Sequence, residues 1–129
     1  VTCRAAKHIA VDKRTPQKIK KTYDDTHDTL QNGMSIVMFP EGARTKTGEM
    51  GPFKRGGFLL AQELRIPIVP ITINGSYDIM PRNHDMHFAV YHPLRLTIHE
   101  PIYPTSPEYN DTKALMEKTF SIIHNGLDK

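Results

Sequence analysis

Apolar positions along the chain alternate between two periods, and the changes of period mark a succession of short elements. Ile9 and Val11 sit in a short apolar stretch, Lys7 to Val11, that reads as a strand ending at Asp12. Thr15-Pro16 then offers an N-cap followed by proline at the first helical position, and Asn32-Gly33 offers a left-handed stop, so the two pairs bracket a helix. Between them Ile19, Tyr23, Thr26 and Leu30 recur at helical spacing on one stripe facing a sheet, while lysines and aspartates fill the solvated face. Met34 to Phe39 is a continuous apolar run of the kind a buried parallel strand shows, closed by Pro40, which has no N–H to give a ladder.

These segments read β-α-β, and a second crossover unit follows. A glycine-rich loop runs to Gly57, a helix covers about Phe58 to Leu64, and another apolar run, Ile66 to Ile73, ends at Asn74-Gly75. Phe88 to Tyr91 and Leu94 to Ile98 read as two further strands joined by His92-Pro93. Ser106-Pro107 opens a final helix in which Met116, Phe120, Ile123 and Leu127 share a face, with Gly126 a sign of fraying near its end. The pattern predicts an α/β fold, a mixed, mostly parallel sheet with helices packed against it. With 129 residues and neither a repeat nor a low-complexity tract, residues 1–129 are expected to form a single domain.

Composition narrows the class only a little. A hydrophobic share of 38%, a charged share of 24% and no tryptophan suit a soluble globular chain rather than a disordered one. No window reaches the roughly 18 consecutive apolar residues of a membrane-spanning helix, and Val1-Thr2-Cys3-Arg4 lacks the apolar core of an export signal. One cysteine, Cys3, makes no internal disulfide and fits a reducing compartment, so cytosolic exposure is the expectation. Seventeen Lys and Arg against 14 Asp and Glu give a charge of +3, compatible with an anionic membrane surface, nucleic acid or a phosphorylated ligand. The positions of the cations decide among these.

Crossover units bring the C-terminal ends of parallel strands to one sheet edge, where ligands of open α/β folds bind. Three such ends are expected, at Asp12-Lys13-Arg14, at Pro40-Glu41-Gly42-Ala43-Arg44 and at Asn74-Gly75, and cations cluster at the first two. Arg44 can grip a phosphate through two parallel hydrogen bonds, Lys13 acts as a point charge, and Arg14 can do either. Glu41 cannot ligate a phosphate, but its carboxylate can accept a hydrogen bond from a hydroxyl, so a polyol phosphate satisfies both groups. Alone, Glu41 and Arg44 would read as an ion pair on a surface turn. Their setting argues otherwise: Lys46, Lys54 and Arg55 follow in a loop with Gly48, Gly51, Gly56 and Gly57, which allow close backbone approach, and the next helix offers its N-terminus to an anion.

The stretch Phe39-Pro40-Glu41-Gly42-Ala43-Arg44-Thr45 closely resembles the F-P-E-G-T-R-S signature of 1-acylglycerol-3-phosphate acyltransferases and their glycerol-3-phosphate acyltransferase relatives. Pro52-Phe53-Lys54-Arg55-Gly56 is similar to that family's P-F-K-K-G, Ile68-Val69-Pro70-Ile71 to its V-P-V-x-I, and Ile9 to Arg14 to its block ending in I-D-R. Four blocks in order, spanning about Lys7 to Pro101, make the resemblance specific. It implies transfer of a fatty acyl group from a thioester, on coenzyme A or acyl carrier protein, to a hydroxyl of 1-acylglycerol-3-phosphate in phospholipid biosynthesis. No cofactor would be bound, and the partners would be a lysophospholipid or glycerol phosphate, the acyl thioester and a membrane surface at its cytosolic face.

Carried over position by position, Glu41 would orient the glycerol hydroxyls, and Arg44 with Lys13 and Arg14 would hold the phosphate. Gly42 and Lys54 would belong to the same substrate-binding set, and Val69-Pro70 would shape a wall. Ala43 departs from the usual Thr and Lys13 from the commoner Arg, losing a hydroxyl and a bidentate grip. A larger departure concerns the family's general base, a histidine oriented by an aspartate five positions later. Five positions after the seven histidines come Lys13, Asn32, Ala89, His92, Thr97, Pro104 and Lys129, so no catalytic residue is identified. The expectation is that the chain lacks an N-terminal part of its parent carrying the base, and that this piece alone is inactive.

A non-catalytic phosphate- or lipid-headgroup-binding module would keep the pocket without the base. Phe53 and Phe58 beside the basic loop are too little for a nucleic-acid surface. His84, His87, His92 and His99 follow no metal-ligand spacing, and Asp24, Asp25 and Asp28 read as a solvated face balancing Lys18, Lys20 and Lys21, so no metal site is expected. A G-x-S-x-G elbow is missing, which leaves direct attack by the acceptor rather than an acyl-enzyme.

Overall fold

A computed structural model describes Ile9, residues 15–79 and residues 91–128, and divides the chain into two units, Val1–Met38 and Phe39–Lys129. The first unit contains helix α1 (Pro16–Gln31), bracketed as its sequence demands. The Thr15 hydroxyl accepts from the Lys18 amide at 3.3 Å, Pro16 fills the first turn where no N–H is needed, and Gly33 closes the end at φ 78°. Thr22, Thr26 and Thr29 donate their hydroxyls to carbonyls four residues earlier, which satisfies them inside a helix that threonine otherwise disfavours.

The expected strand Met34 to Phe39 carries no ladder among the described residues, and Val37 and Phe39 are 79% and 72% exposed. An apolar run states a preference for burial but not a partner, and a strand exists only through its partner's hydrogen bonds. Apart from Ile9, the expected neighbour Lys7 to Val11 lies outside the described residues, as does Phe88 to Val90.

The second unit runs α2 (Gly56–Leu64), β1 (Ile71–Asn74), α3 (Ser76–Ile79), β2 (Arg95–Ile98), a 3-10 turn (Pro107–Asn110) and α4 (Thr112–Asn125). Its core gathers Phe58, Ile102, Tyr109 and Leu115, with Phe53, Ile68, Met116 and Ile122 packed around them. Tyr109 is 1% exposed, and its hydroxyl hydrogen is shared between the carbonyls of Ala61 and Ile66. Burial pushes its phenol above the ordinary range, opposed weakly by Arg65, so it stays a neutral donor. Gln62 fastens the same corner, donating to the Tyr109 carbonyl at 2.6 Å and accepting from Thr112 at 2.6 Å.

β1 and β2 pair antiparallel, with Ile71 opposite Ile98 and Asn74 opposite Arg95. The apolar run Ile66 to Ile73 becomes a ladder only past Pro70, which has no N–H to give, although Ile68 and Ile102 exchange bonds of 3.0 and 2.8 Å further out. Helices with a small sheet make this an α/β fold, while the parallel pairing expected between the crossover runs is not seen among the described residues.

The two faces of β1 reverse the usual polarity. Thr72 and Asn74 are the buried positions and reach the end of α4: Thr72 donates to the Ile123 carbonyl at 3.1 Å, and Asn74 donates to the Gly126 carbonyl at 2.9 Å. With its one hydrogen committed to Ile123, Thr72 accepts from His99 Nε2 at 2.7 Å, which puts the ring proton on that nitrogen. On the opposite face, Leu96 and Ile98 of β2 are exposed beside half-buried Ile71 and Ile73.

The final helix begins later than Ser106-Pro107 suggests. Those residues open the 3-10 turn, and Asp111 caps α4, accepting from Lys113 and Ala114 amides at 2.9 and 3.5 Å. The buried positions of α4 are Leu115 and Thr119, one residue before the expected Met116 and Phe120. Gly126 marks close packing rather than fraying, because a Cβ there would stand 2.7 Å from Thr72 Oγ1 and 3.0 Å from the His99 ring.

Candidate functional site

The segment from Pro40 to Lys54 folds into a loop closed by two bonds at its base. Lys54 donates its amide to the Pro40 carbonyl at 2.7 Å, and the Gly51 amide donates to Glu41 Oε2 at 2.7 Å. Gly42 turns the chain at φ 76°, a conformation that L side chains resist, and its amide bonds the Phe39 carbonyl at 3.1 Å. Phe53 anchors the returning limb, its ring 6.2 Å from Phe58 and edge-on to Phe120 at 5.2 Å. The loop base is therefore rooted in the apolar core while its tip stands in solvent.

The tip is built by hydroxyls. Thr45 Oγ1 accepts from the Thr47 and Gly48 amides at 3.2 Å each, and Thr47 Oγ1 accepts from Glu49 at 3.3 Å, so the turn provides its own acceptors. Gly48 sits at φ 88° within it. The folded loop borders an open, shallow cleft of about 350 Å³ lined by Glu41, Ala43, Arg44, Thr45, Lys46, Thr47, Glu49, Met50, Gly51, Pro52 and Lys54. Three cations face two carboxylates there, and one of the carboxylates, Glu41, is already oriented by a backbone donor.

Of the residues expected from sequence, Glu41, Arg44 and Lys54 come together on this cleft, and Gly42 lies at its rim with the Lys54 Cγ 3.7 Å from where its Cβ would be. Lys13 and Arg14 lie outside the described residues. Val69 and Pro70 do not line the cleft; Pro70 is fully buried and its carbonyl accepts from the His99 amide at 3.0 Å. Sequence reasoning missed the roles of Gly51 and Tyr77. Gly51 stood among the loop glycines without a partner, and Tyr77 carried no local signal.

The arrangement can bind a small anion bearing hydroxyls. Arg44 and the two lysines supply charge-assisted donors for a phosphate, and a carboxylate with one oxygen engaged by Gly51 keeps lone pairs for a hydroxyl. No histidine among the described residues lines the cleft.

Comparisons with known proteins point the same way. The acyltransferase family model matches residues 2–74. A chloroplastic 1-acyl-sn-glycerol-3-phosphate acyltransferase of Brassica napus is 41% identical over 76 residues, 59% of this chain and 22% of that protein. The human 1-acyl-sn-glycerol-3-phosphate acyltransferase alpha is 38% identical over 79 residues, 60% of this chain and 28% of its own. The matched region thus spans less than a third of these relatives. The crystal structure of the 1-acyl-sn-glycerophosphate acyltransferase PlsC of Thermotoga maritima superposes with a TM-score of 0.73 at 23% identity, over 95% of this chain and 47% of that one. Since the family match runs through the closed loop and on to the end of β1, this chain belongs to the acyltransferase family.

Proposed function

We propose that the protein transfers a fatty acyl group from an acyl thioester to a hydroxyl of 1-acylglycerol-3-phosphate, a step of phospholipid synthesis. The observation that carries this reading is the convergence of Glu41, Arg44 and Lys54 on one cleft, with the Glu41 carboxylate held by Gly51. In the reaction the acceptor oxygen attacks the thioester carbonyl carbon, the C–S bond breaks, and the thiol leaves with the hydroxyl proton. Glu41 orients the hydroxyl-bearing carbons and Arg44 and Lys54 hold the phosphate, a duty the family resemblance extends to Lys13 and Arg14. The donor is coenzyme A or acyl carrier protein, no cofactor is required, and the intact parent, of which residues 1–129 supply the acceptor cleft, works at the cytosolic face of a membrane.

A second reading, a phosphate- or headgroup-binding module without turnover, draws on the cleft having no histidine among its described lining residues. The intact protein decides between them when supplied with 1-acylglycerol-3-phosphate and either thioester, with phosphatidate followed by mass spectrometry. Acyl transfer, with an acceptor KM raised about 10- to 100-fold by Arg44→Ala through loss of a charge-assisted bond, supports the first. Binding of the acceptor without product supports the second, and an Arg44→Ala variant with unchanged kinetics removes this cleft from the reaction.

A further inference from the structure

The cleft loop is fastened at its base by Glu41 and Pro40, yet its tip is held from a different part of the fold. Tyr77, in α3 just beyond β1, donates its hydroxyl to the Lys46 carbonyl at 3.0 Å across 31 residues of sequence. Its ring lies against Gly48, where an added Cβ would stand 3.2 Å from Cδ1 and 3.3 Å from Cε1. At φ 88° Gly48 both completes the turn and leaves a surface flat enough to receive the ring. Tyr77 does not itself line the cleft.

We propose that Tyr77 is a positioning residue for the phosphate-bearing acceptor. By fixing the backbone at Lys46 and Gly48 it sets where the cations of that limb, Arg44 and Lys46, stand in the cleft. The proposal rests on the reading of the cleft as the acceptor site. Lys46 is exposed, so water can replace the lost hydroxyl at its carbonyl with little effect on folding. The loss is instead of preorganisation, since an unfixed tip must be ordered when the anion binds.

Tyr77→Phe keeps the ring on Gly48 and removes only the hydroxyl, and two measurements on the intact protein read the result. Amide exchange over residues 45–50 should quicken about two- to tenfold, the range of one neutral hydrogen bond, with the melting temperature unchanged. The acceptor KM should rise by a similar factor, with kcat and the thioester KM within about twofold of wild type. Unchanged exchange overturns the clamp, and faster exchange with an unchanged acceptor KM overturns the positioning role. Should the wild-type protein transfer no acyl group, the function proposed above fails by itself. The clamp is then judged on sn-glycerol 3-phosphate affinity: weaker binding by Tyr77→Phe upholds it and equal binding overturns it.

Discussion

The Gly51 amide donates to Glu41 Oε2 at 2.7 Å, so the side chain we propose to receive a substrate hydroxyl also closes the loop that carries it. These two duties separate by substitution. Glu41→Gln keeps an acceptor for Gly51 but loses the charge, whereas Glu41→Ala loses both. We expect Glu41→Ala to speed Gly51 amide exchange and weaken sn-glycerol 3-phosphate binding about 10- to 100-fold, the range of a hydrogen bond to a charged group. Glu41→Gln should leave the exchange slow and cost less affinity. Hydrogen exchange and titration calorimetry measure the pair, and equal behaviour of both variants would sink the double role.

Leu115 is 0% exposed at the centre of the second unit's core. Leu115→Ala should cost about 2–5 kcal/mol by leaving a cavity among Phe58, Ile102 and Tyr109. Lys113→Ala, which removes an exposed pair with Glu117, should change stability by less than about 0.5 kcal/mol. Urea midpoints of the two variants test the contrast.

Gly126→Ala should destabilise by about 1–3 kcal/mol through overpacking, since its φ of −83° imposes no backbone strain and the obstacle is the Thr72 hydroxyl and His99 ring. Thermal melts read the loss. Gly126→Ala should cost less in a Thr72→Ala background than in wild type, and an equal cost in both backgrounds would locate the clash elsewhere.

Glu108 supplies the pH dependence. Its carboxyl is lowered from 4.5 to about 2, first by the Ser106 hydroxyl, then by its own backbone amide, and by Lys118 at 3.0 Å. A depressed carboxylate adds stability above its unfolded value and loses it as pH falls towards the folded one. The melting-temperature gap between wild type and Glu108→Gln should therefore be full above about pH 4.5 and vanish near pH 2. A gap that is constant across this window would show that the carboxylate is not the source.

What the sequence revealed and what it concealed divide by range. Thr15-Pro16 and Asn32-Gly33 bracket α1 within a residue, because capping is settled by neighbours three or four positions away. The block Phe39 to Thr45 disclosed the cleft for a similar reason, since Glu41, Arg44 and Lys54 are carried by one loop. On α4 the expected stripe does pack, with Met116 on the core and Phe120 against Phe53, while the buried positions fall one residue earlier at Leu115 and Thr119, which tertiary neighbours far along the chain select. Thr72 and Asn74 gave no hint of burial, because the groups that satisfy them lie 27 to 54 residues further on. Lys13 and Arg14 remain a reading of sequence alone.

The polar seam between β1 and α4 acts as a gauge. Apolar surfaces accept small slides, but a helix shifted by one residue here would strand the Thr72 hydroxyl and the Asn74 amide away from water. The height of β1 along α4 is thereby set bond by bond, and Tyr77 follows Asn74 by only three residues. The strand that this seam holds leads, three residues on, into the tyrosine whose hydroxyl meets the Lys46 carbonyl at the cleft's tip.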